Sequence, residues 1–209
     1  MKVLAFLTDG FETVEALAVI DILRRANIGV DTVSITGNKS VKSAQNIIVE
    51  ADKLIEDINC NDEDVCFLPG GPGHKTYYDC DKLIDMLKVH NEAGGRIAAI
   101  CAAPSVLGKL GFLKGKRATA FPGFEDMLEG AEVAPKTERV VTDGNITTSR
   151  GMGTSVDLGL ELVTLIKGKE LADELAVTER CWQRGKSIIK TVLSDAIFNL
   201  TNMNLSNAS

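Results

Sequence analysis

The stretch RIAAICAAPSVLGKL, residues 96–110, joins a predicted strand directly to a predicted helix and places a cysteine at the junction. It opens with a short apolar run of the kind that is buried on both faces of a sheet. Pro104 suits the first turn of a helix, where its missing N–H costs little. Ala102 and Ala103 are small, as a tight turn requires. The sequence therefore predicts that Cys101 lies on a sharp strand-to-helix turn.

Such a position favours a reactive thiol. A side chain on this kind of turn projects beyond the sheet, and the following helix aims its first N–H groups at it. These groups and the helix dipole stabilise a thiolate, so we expect the pKa of Cys101 to lie well below the ordinary value of about 8.5. The alternative is a cysteine that only fills a gap in the core, as buried free thiols commonly do.

Strand and helix patterns alternate along the rest of the chain. Helical spacing of apolar residues covers residues 13–26, 79–93, 104–110 and 154–167. Apolar or β-branched runs that suit strands cover 2–7, 30–36, 64–70 and 96–101, with shorter strands at 117–120, 139–142 and 145–149 and a hairpin turn at 142–145. This alternation predicts an α/β fold, a doubly wound and mostly parallel sheet with helices on both faces.

Ligand sites in such sheets lie beyond the carboxyl ends of the strands. Four loops follow strands there and are expected to converge: TDGFETVE (8–15), LPGGPGHK (68–75), CAAPS (101–105) and SRGMGTS (149–155). The glycines of LPGG permit close backbone approach and an oxyanion-binding N–H, although a generic turn explains them equally well. Glu12 is explained by the start of a helix. Glu15 has neighbours predicted to be buried, so it is a candidate to share a proton with Cys101.

Composition and charge narrow the class of protein. The chain has 209 residues, of which 44% are hydrophobic and 25% charged, which suits one substantial globular core. A net charge of -6 argues against a nucleic-acid or anionic-membrane surface. No apolar run reaches the roughly 18 residues of a membrane span, and the N-terminus lacks a signal-peptide pattern. We therefore expect a cytoplasmic protein that binds neither nucleic acid nor membrane.

Five cysteines are present, at Cys60, Cys66, Cys80, Cys101 and Cys181. They form no CxxC pair and no spacing typical of a zinc site. An odd number in a cytosolic chain indicates free thiols rather than a disulfide framework. Cys66 lies within a predicted strand and is expected to be a small core residue. The sequence thus predicts no metal.

The C-terminal segment differs from the rest of the chain. Residues 1–180 are predicted to form a single domain, and residues 181–209 an added segment that ends in an Asn- and Ser-rich tail. Seven apolar side chains form one stripe: Ile188, Ile189, Val192, Leu193, Ala196, Ile197 and Leu200. The stripe predicts an amphipathic helix over residues 187–200, packed on the body of the protein or on a partner subunit.

Five stretches together resemble the ThiJ/PfpI superfamily, in its DJ-one branch and the bacterial relatives of that branch. They are DGFETVEALAVIDILRRANI, FLPGGPG, AAICAAPSVLGKLGFLKGKRAT, FPGFED and TSRGMGTSVDLGLELV, and the resemblance covers residues 1 to about 178. It implies a flavodoxin-like fold of the class I glutamine amidotransferase type, a homodimer and no cofactor. It also implies that Cys101 is the reactive cysteine, Glu15 the carboxyl that hydrogen-bonds it, and Gly71 and Ala102 the backbone oxyanion donors.

Further residues are candidates to surround these groups: His74, Phe121, Arg25 and Arg150. By the resemblance, Arg25 matches a basic residue near the dimer contact. Many members of the family carry a histidine where this chain has Phe121, and the protease-like branch carries one where this chain has Ala102. We expect His74 to be a solvated loop residue rather than a partner of the thiol, and His90 to be exposed on a helix.

Two functions remain open at this level. The first is a glyoxalase or deglycase in which the Cys101 thiolate attacks reactive carbonyls such as methylglyoxal, glyoxal or early glycation adducts, while Glu15 moves protons. The second is a redox sensor or chaperone in oxidative-stress protection, in which the thiol is oxidised to a sulfinate. Amidotransferase or protease chemistry needs a triad histidine that the sequence does not supply. With Phe121 in place of histidine, we expect low turnover.

Overall fold

The computed structural model of the protein describes residues 1–178. Its strands are β1 Val3–Leu7, β2 Val30–Ser34, β3 Ser40–Lys42, β4 Ile48–Glu50, β5 Lys53–Leu54, β6 Val65–Leu68, β7 Arg96–Ile100, β8 Arg117–Ala118, β9 Glu132–Val133, β10 Val140–Asp143 and β11 Ile146–Ser149. Its α-helices are α1 Thr13–Arg25, α2 Asp81–Glu92, α3 Pro104–Lys109, α4 Ser155–Lys167 and α5 Lys169–Thr178.

The central sheet has seven strands in the order β10-β11-β7-β6-β1-β2-β5. Its neighbouring strands run parallel except for β10 and β11, which form an antiparallel hairpin. Asp143 pairs with Ile146 across that hairpin, so Gly144 and Asn145 make the turn. The predicted mostly parallel sheet and the predicted hairpin are both confirmed.

Strand β1 shows how the sheet is enclosed. All five of its residues are buried, because helices cover both faces of a parallel sheet. Leu4 packs in one core with Leu83 of α2 and Val106 of α3. Leu7, which points to the opposite face by the alternation of a strand, packs with Ala16 of α1. The parallel strands therefore end together at one edge, where their loops can meet.

Helices α1 and α4 pack against each other at unusually close range. A Cβ atom at Gly159 would lie 2.9 Å from Cβ of Ile22, nearer than two such carbons approach. Glycine at this position lets the two helices approach closely, and this packing holds α1, the helix that carries Glu15, against α4.

The predicted strand at 117–120 does not join the main sheet. Only Arg117–Ala118 is extended, and it pairs in parallel with β9 in a separate ribbon. The strand ends because the N–H of Thr119 hydrogen-bonds to the side chain of Thr148, at 2.9 Å, instead of to a neighbouring strand. A second small ribbon, β3 with β4, is mostly exposed and lacks an apolar pattern that sequence reasoning would detect.

Met1–Ala172 forms one compact unit, and a second unit begins at Asp173, of which the described part is the end of α5. The amphipathic helix expected over residues 187–200, and Cys181, lie outside the described residues, so the domain boundary at 180 stays a prediction. Across residues 1–178, no helix combines the length and apolarity that crossing a bilayer would demand.

Candidate active site

Cys101 lies on the sharp turn that the sequence predicts. Its backbone φ is 65°, in the left-handed region that side-chain-bearing residues rarely adopt. The N–H of Cys101 donates to the carbonyl of Ser149 at 3.0 Å, and the N–H of Ala103 donates to that of Ile100 at 3.0 Å. The turn is thus tied to β7 and β11, and α3 begins directly after it, at Pro104.

Glu15 is held beneath this turn by the first turn of α1. The Glu12 carboxylate caps the helix by accepting the N–H of Glu15 at 2.7 Å. The Glu15 side chain is buried, with 1% exposed. Its Oε2 accepts the N–H of Gly70 at 3.1 Å, and its carboxyl hydrogen-bonds the thiol of Cys101. Burial and these bonds leave the carboxyl one orientation, toward the sulfur.

The glycine-rich loop after β6 closes over this pair. The N–H of Glu12 donates to the carbonyl of Gly70 at 2.9 Å. A Cβ atom at Gly70 would lie 2.5 Å from Oε2 of Glu15 and 2.6 Å from Cβ of Cys101, so a larger residue would displace the carboxyl and the thiol. The loops after β1, β6, β7 and β11 converge as predicted.

Two backbone amides point at the sulfur. The N–H groups of Gly71 and Ala102 both hydrogen-bond Cys101. Gly71 has φ of 95°, and a Cβ atom there would lie 2.5 Å from the backbone nitrogen of Glu12. The tight contact with the loop after β1 therefore sets the position of this amide. A pair of N–H groups at one atom is the arrangement that stabilises a developing oxyanion.

The electrostatics of the pair differ from the sequence-based expectation. Burial raises the pKa of Glu15 to about 7. Burial, and then the negative charge of Glu15, raise the pKa of Cys101 to about 12, although the Gly71 and Ala102 amides act in the opposite direction. The prediction of a lowered Cys101 pKa is therefore wrong, because burial and the nearby carboxylate both disfavour a negative charge on the sulfur. Between these two values, the pair holds one proton.

His74 is buried rather than solvated, with 5% exposed, so that prediction is also wrong. The residues after Gly71 coil into a 3₁₀ helix, Pro72–Asp79, that turns the imidazole inward. Its Nδ1 donates to the carbonyl of Gly71 at 2.9 Å, and its ring meets the edge of Phe124 at 5.4 Å between centroids. Burial lowers the pKa of His74, which favours the neutral ring. His74 thus braces the loop that carries the Gly71 amide.

Phe121 supports the cysteine turn through its backbone. Its N–H donates to the carbonyl of Cys101 at 2.8 Å, while 46% of the residue is exposed. A Cβ atom at Gly151 would lie 3.1 Å from the Phe121 ring and 3.6 Å from Oε1 of Glu15. The position that carries a histidine in many members of the resembled family is therefore close to the Glu15–Cys101 pair.

The two arginines have structural partners. Arg150 donates from Nη1 to Oγ1 of Thr119 at 3.1 Å and pairs with Glu125 at 3.8 Å. It therefore ties the loop after β11 to the segment that leads to Phe121. Arg25 lies at the end of α1, where Nε donates to Oδ2 of Asp21 at 2.7 Å.

A second cysteine site lies at the other end of the sheet. The Sγ atoms of Cys60 and Cys66 are 3.6 Å apart, and Sγ of Cys60 is 3.5 Å from Nδ1 of His90. The contacts with Cys66 and His90 lower the pKa of Cys60 to about 5. The expectation of an exposed His90 is wrong: 3% of it is exposed.

A sequence signal for this burial exists. Leu83, Leu87 and His90 are the buried residues of α2, and their i, i+4, i+7 spacing marks one face of a helix. A histidine on that apolar face needs a polar partner inside the protein. The spacing of Cys60 and Cys66 carries no such signal, since only the fold brings the loop before β6 to that face.

Comparison with known proteins shows which family this chain resembles. Residues 1–165 match the DJ-1/PfpI family. Protein DJ-1 homolog A of Arabidopsis thaliana is 39% identical over 176 residues, which are 83% of this chain but 45% of that longer protein. A protein of Caenorhabditis elegans named glutathione-independent glyoxalase DJR-1.2 is 28% identical over 78% of this chain and 87% of its own.

Comparison of the fold with solved structures leads to the same family. A solved structure of oxidized DJ-1 from Toxoplasma gondii is 35% identical and superposes with a TM-score of 0.79, over 85% of this chain and 96% of that one. This likeness includes the flavodoxin-like sheet between helices that the resemblance implied. With a strained cysteine turn at the end of β7 and a family match that spans most of the described residues, this chain belongs to the DJ-1/PfpI family.

Proposed function

We propose that the protein converts reactive carbonyls such as methylglyoxal to hydroxy acids without a cofactor, with Cys101 as nucleophile and Glu15 as the proton-transfer group. One observation carries the proposal: a thiol on a strained strand-to-helix turn shares a hydrogen bond with a buried carboxyl whose pKa is about 7. A carboxyl tuned to neutral pH can both take and return a proton. The name of the Caenorhabditis elegans relative supports the same reaction class.

The conversion of methylglyoxal to lactate requires only Cys101, Glu15 and one water molecule. The sulfur of Cys101 adds to the aldehyde carbon, and the carbonyl oxygen takes the proton, which gives a hemithioacetal. Glu15 removes the hydrogen from that carbon and returns a proton to the adjacent one, so that the ketone becomes an alcohol and the carbon on sulfur becomes a thioester. Water then cleaves the thioester, releasing lactate from methylglyoxal and restoring the thiol.

The shared proton explains how a thiol of raised pKa can react. In the singly protonated pair, one arrangement places the proton on Glu15 and leaves the thiolate on Cys101. The Gly71 and Ala102 amides stabilise that arrangement, and they are also placed to accept the oxyanion of the addition step. Reactivity should thus rise as the pair loses its first proton.

We expect turnover to be slow, because Phe121 stands where many relatives carry a histidine. A missing general acid–base group typically costs about a hundredfold or more. His74 does not replace it in this structure, since its Nδ1 is committed to the carbonyl of Gly71.

A second candidate function is redox sensing or chaperone activity in oxidative-stress protection. The solved structure of oxidized DJ-1 from Toxoplasma gondii favours it, since that relative shares this fold. Peroxide would oxidise the Cys101 thiolate to a sulfenate and a second equivalent would give a sulfinate. Protonated Glu15 and the two amides are placed to hydrogen-bond the added oxygens.

The two functions are separated by one pair of measurements. Lactate release from methylglyoxal is followed for wild type, Cys101→Ser and the matched control Cys80→Ser, in which a half-buried cysteine away from the turn is changed. Mass spectrometry after mild peroxide gives the oxidation state of each thiol. Lactate formation that depends on Cys101 supports the enzyme. Lactate formation that is equal in wild type and Cys101→Ser contradicts it.

The pairing of Glu15 with Cys101 is tested by the pH dependence of alkylation, measured in a Cys60→Ser background so that the low-pKa thiol of Cys60 is absent. The rate for Cys101 should rise through about pH 7, where the pair loses its first proton. Glu15→Gln should remove this inflection and lower the pKa of Cys101, because the opposing charge is gone. An unchanged profile together with an unchanged sulfinate yield would sink the pairing.

We also propose that the protein acts in the cytoplasm as a homodimer with the C-terminal segment packed on the body or partner. The net charge of -6 and the family resemblance support this proposal. Sedimentation of the whole chain and of a chain truncated after residue 180 tests it.

A further inference from the structure

The cluster of Cys60, Cys66 and His90 has the composition of a metal site. Its two sulfurs and Nδ1 all lie within 4.8 Å of one another. Thiolate and imidazole are the ligands that Zn²⁺ prefers, and three protein ligands with one open position form a known type of zinc site. Nothing in the proposed carbonyl chemistry uses these residues, which lie around the start of β7 rather than beyond its end.

Two of the three distances match one tetrahedral ion. With Zn–S of about 2.3 Å and Zn–N of about 2.0 Å, tetrahedral angles place two sulfurs about 3.8 Å apart and a sulfur and a nitrogen about 3.5 Å apart. The observed separations are 3.6 Å between Cys60 and Cys66, and 3.5 Å between Cys60 and His90. The third pair, Cys66 and His90, has its ligand atoms within 4.8 Å, so these two side chains have to move closer together to reach the ideal separation.

The histidine is oriented for coordination. Its Nε2 lies 3.1 Å from the carbonyl of Arg96, and a carbonyl only accepts hydrogen bonds, so Nε2 carries the hydrogen and Nδ1 offers its lone pair to the cluster. A hydrogen bond of this kind behind a ligating histidine fixes its ring in metal sites. Gly95 makes room for the ring, since a Cβ atom there would lie 2.2 Å from Cε1 of His90.

The surroundings give an ion access and charge. A cavity of about 280 Å³ opens beside the cluster, and its lining includes Cys60, His90 and the carboxylates of Asp62 and Asp85. Asp64 braces the loop by accepting the N–H of Asn61 at 3.1 Å. Two thiolates and nearby carboxylates suit a divalent cation, and the open side leaves a fourth position for water or a cavity carboxylate.

We propose that Cys60, Cys66 and His90 bind one Zn²⁺ ion at the amino end of the sheet, separate from Cys101. No sequence motif reveals these three ligands, because they lie on separate elements. Cys60 lies in the loop before β6, Cys66 in β6 and His90 in α2. The ion joins these three elements across the face of the sheet. It stabilises the folded chain, since the unfolded chain does not hold the ligands together.

The experiment uses the whole chain, reduced and stripped of metal with a chelator. One equivalent of Zn²⁺ is added, and affinity is measured by competition with a chromogenic chelator. We expect one zinc per chain, a higher melting temperature with zinc, and affinity at least about a hundredfold weaker in Cys60→Ser. The matched controls Cys80→Ser and Cys101→Ser should bind as wild type does. Cobalt(II) bound to wild type should show a thiolate charge-transfer band that Cys60→Ser lacks, a reading that survives if another variant folds poorly.

Three outcomes overturn the proposal. The first is no zinc retained by the reduced wild type, and the second is equal affinity in wild type and Cys60→Ser. The third is loss of zinc in Cys101→Ser with retention in Cys60→Ser. A peptide joining Cys60 to Cys66 with two hydrogens lost, found together with no zinc binding by the reduced protein, would assign the cluster to disulfide formation instead.

Discussion

Cys101 and Cys60 are both half-buried thiols, yet their environments shift the thiol pKa in opposite directions. Burial and then the charge of Glu15 raise the pKa of Cys101 to about 12, whereas the contacts with Cys66 and His90 lower that of Cys60 to about 5. Exposure does not distinguish them. The difference teaches that the partner of a thiol decides its role: a carboxyl that shares a proton suits proton transfer, and an imidazole with a second thiol suits a cation.

The two thiols also occupy opposite ends of one strand. Arg96, whose carbonyl orients His90, begins β7, and Cys101 directly follows its last residue. Five residues of extended chain span about 16 Å. The two sites share a scaffold without sharing side chains, so variants at each should act independently.

The largest expected effect is a double dissociation between the two sites. Cys101→Ser should lower lactate formation by at least about a thousandfold, since it removes the nucleophile, and should leave zinc affinity unchanged. Cys60→Ser should abolish tight zinc binding and keep lactate formation within about twofold of wild type. Turnover assays and zinc titration of the same four preparations, including the double variant, check this. Loss of both properties in either single variant would show that the sites are coupled.

Glu15→Gln should change the pH dependence of stability. Glu15 has a pKa of about 7 in the folded protein against 4.5 ordinarily, so the folded state retains a proton that the unfolded chain releases between these values. Stability of the wild type therefore falls as pH rises through this window, by up to about 3 kcal/mol. The variant lacks this titration, so its advantage should grow from pH 4.5 to 7.

Urea unfolding at closely spaced pH values measures the difference. Glu12→Gln, which alters the half-buried cap of the same helix but keeps Glu15, is the matched control, and its stability should fall over this window as that of the wild type does. A wild-type stability that rises over this window would contradict a raised Glu15 pKa.

Phe121→His should raise turnover at the Cys101 site and leave zinc binding at the Cys60 cluster unchanged. The residue is 46% exposed, so the change should fold normally, and it places an ionisable group near Glu15. We expect turnover to rise about tenfold or more, with a new pH dependence near the histidine pKa, and no change in zinc affinity. Phe121→Asn controls for the loss of the phenyl ring. An equal rise in both variants would point to access rather than to proton transfer.

The smallest effects should come from two glycines that make room at the two sites. A Cβ atom at Gly70 would lie 2.5 Å from Oε2 of Glu15, and one at Gly95 would lie 2.2 Å from the His90 ring. Gly70→Ala should slow Cys101 alkylation by about tenfold, and Gly95→Ala should weaken zinc binding by about tenfold. Each variant is the control for the other. Wild-type values at both sites would show that these contacts relax easily.

The sequence was informative where one element carries the whole signal. The strand, the small residues and Pro104 predict the cysteine turn within one stretch. The convergence of the loops is also predictable, because parallel strands end at a common edge. The sequence predicts the wrong direction for the pKa shift of Cys101, because this shift depends on how little water reaches the thiol and on how near Glu15 lies. The sequence pattern shows that the Glu15 carboxyl is available, but it does not give the distance between this carboxyl and the Cys101 thiol.

The two histidines were misread for a related reason. The sequence predicts a solvated loop residue at His74, but the loop coils into a 3₁₀ helix and buries the side chain. The polarity of His90 predicts an exposed position on a helix, although its spacing from Leu83 and Leu87 places it on the buried face. In both cases residue polarity was given more weight than geometry. The position of Cys60 beside His90 needed the tertiary fold.

The bond from the Phe121 amide to the carbonyl of Cys101 has a consequence for how such a site can diversify. Because the main chain provides this support, every amino acid except proline preserves it. The side chain above it can be exchanged without disturbing the strained turn below. Substitutions at position 121 therefore offer a way to change the chemistry proposed for Cys101 and Glu15 while the fold and the proposed zinc site stay unchanged.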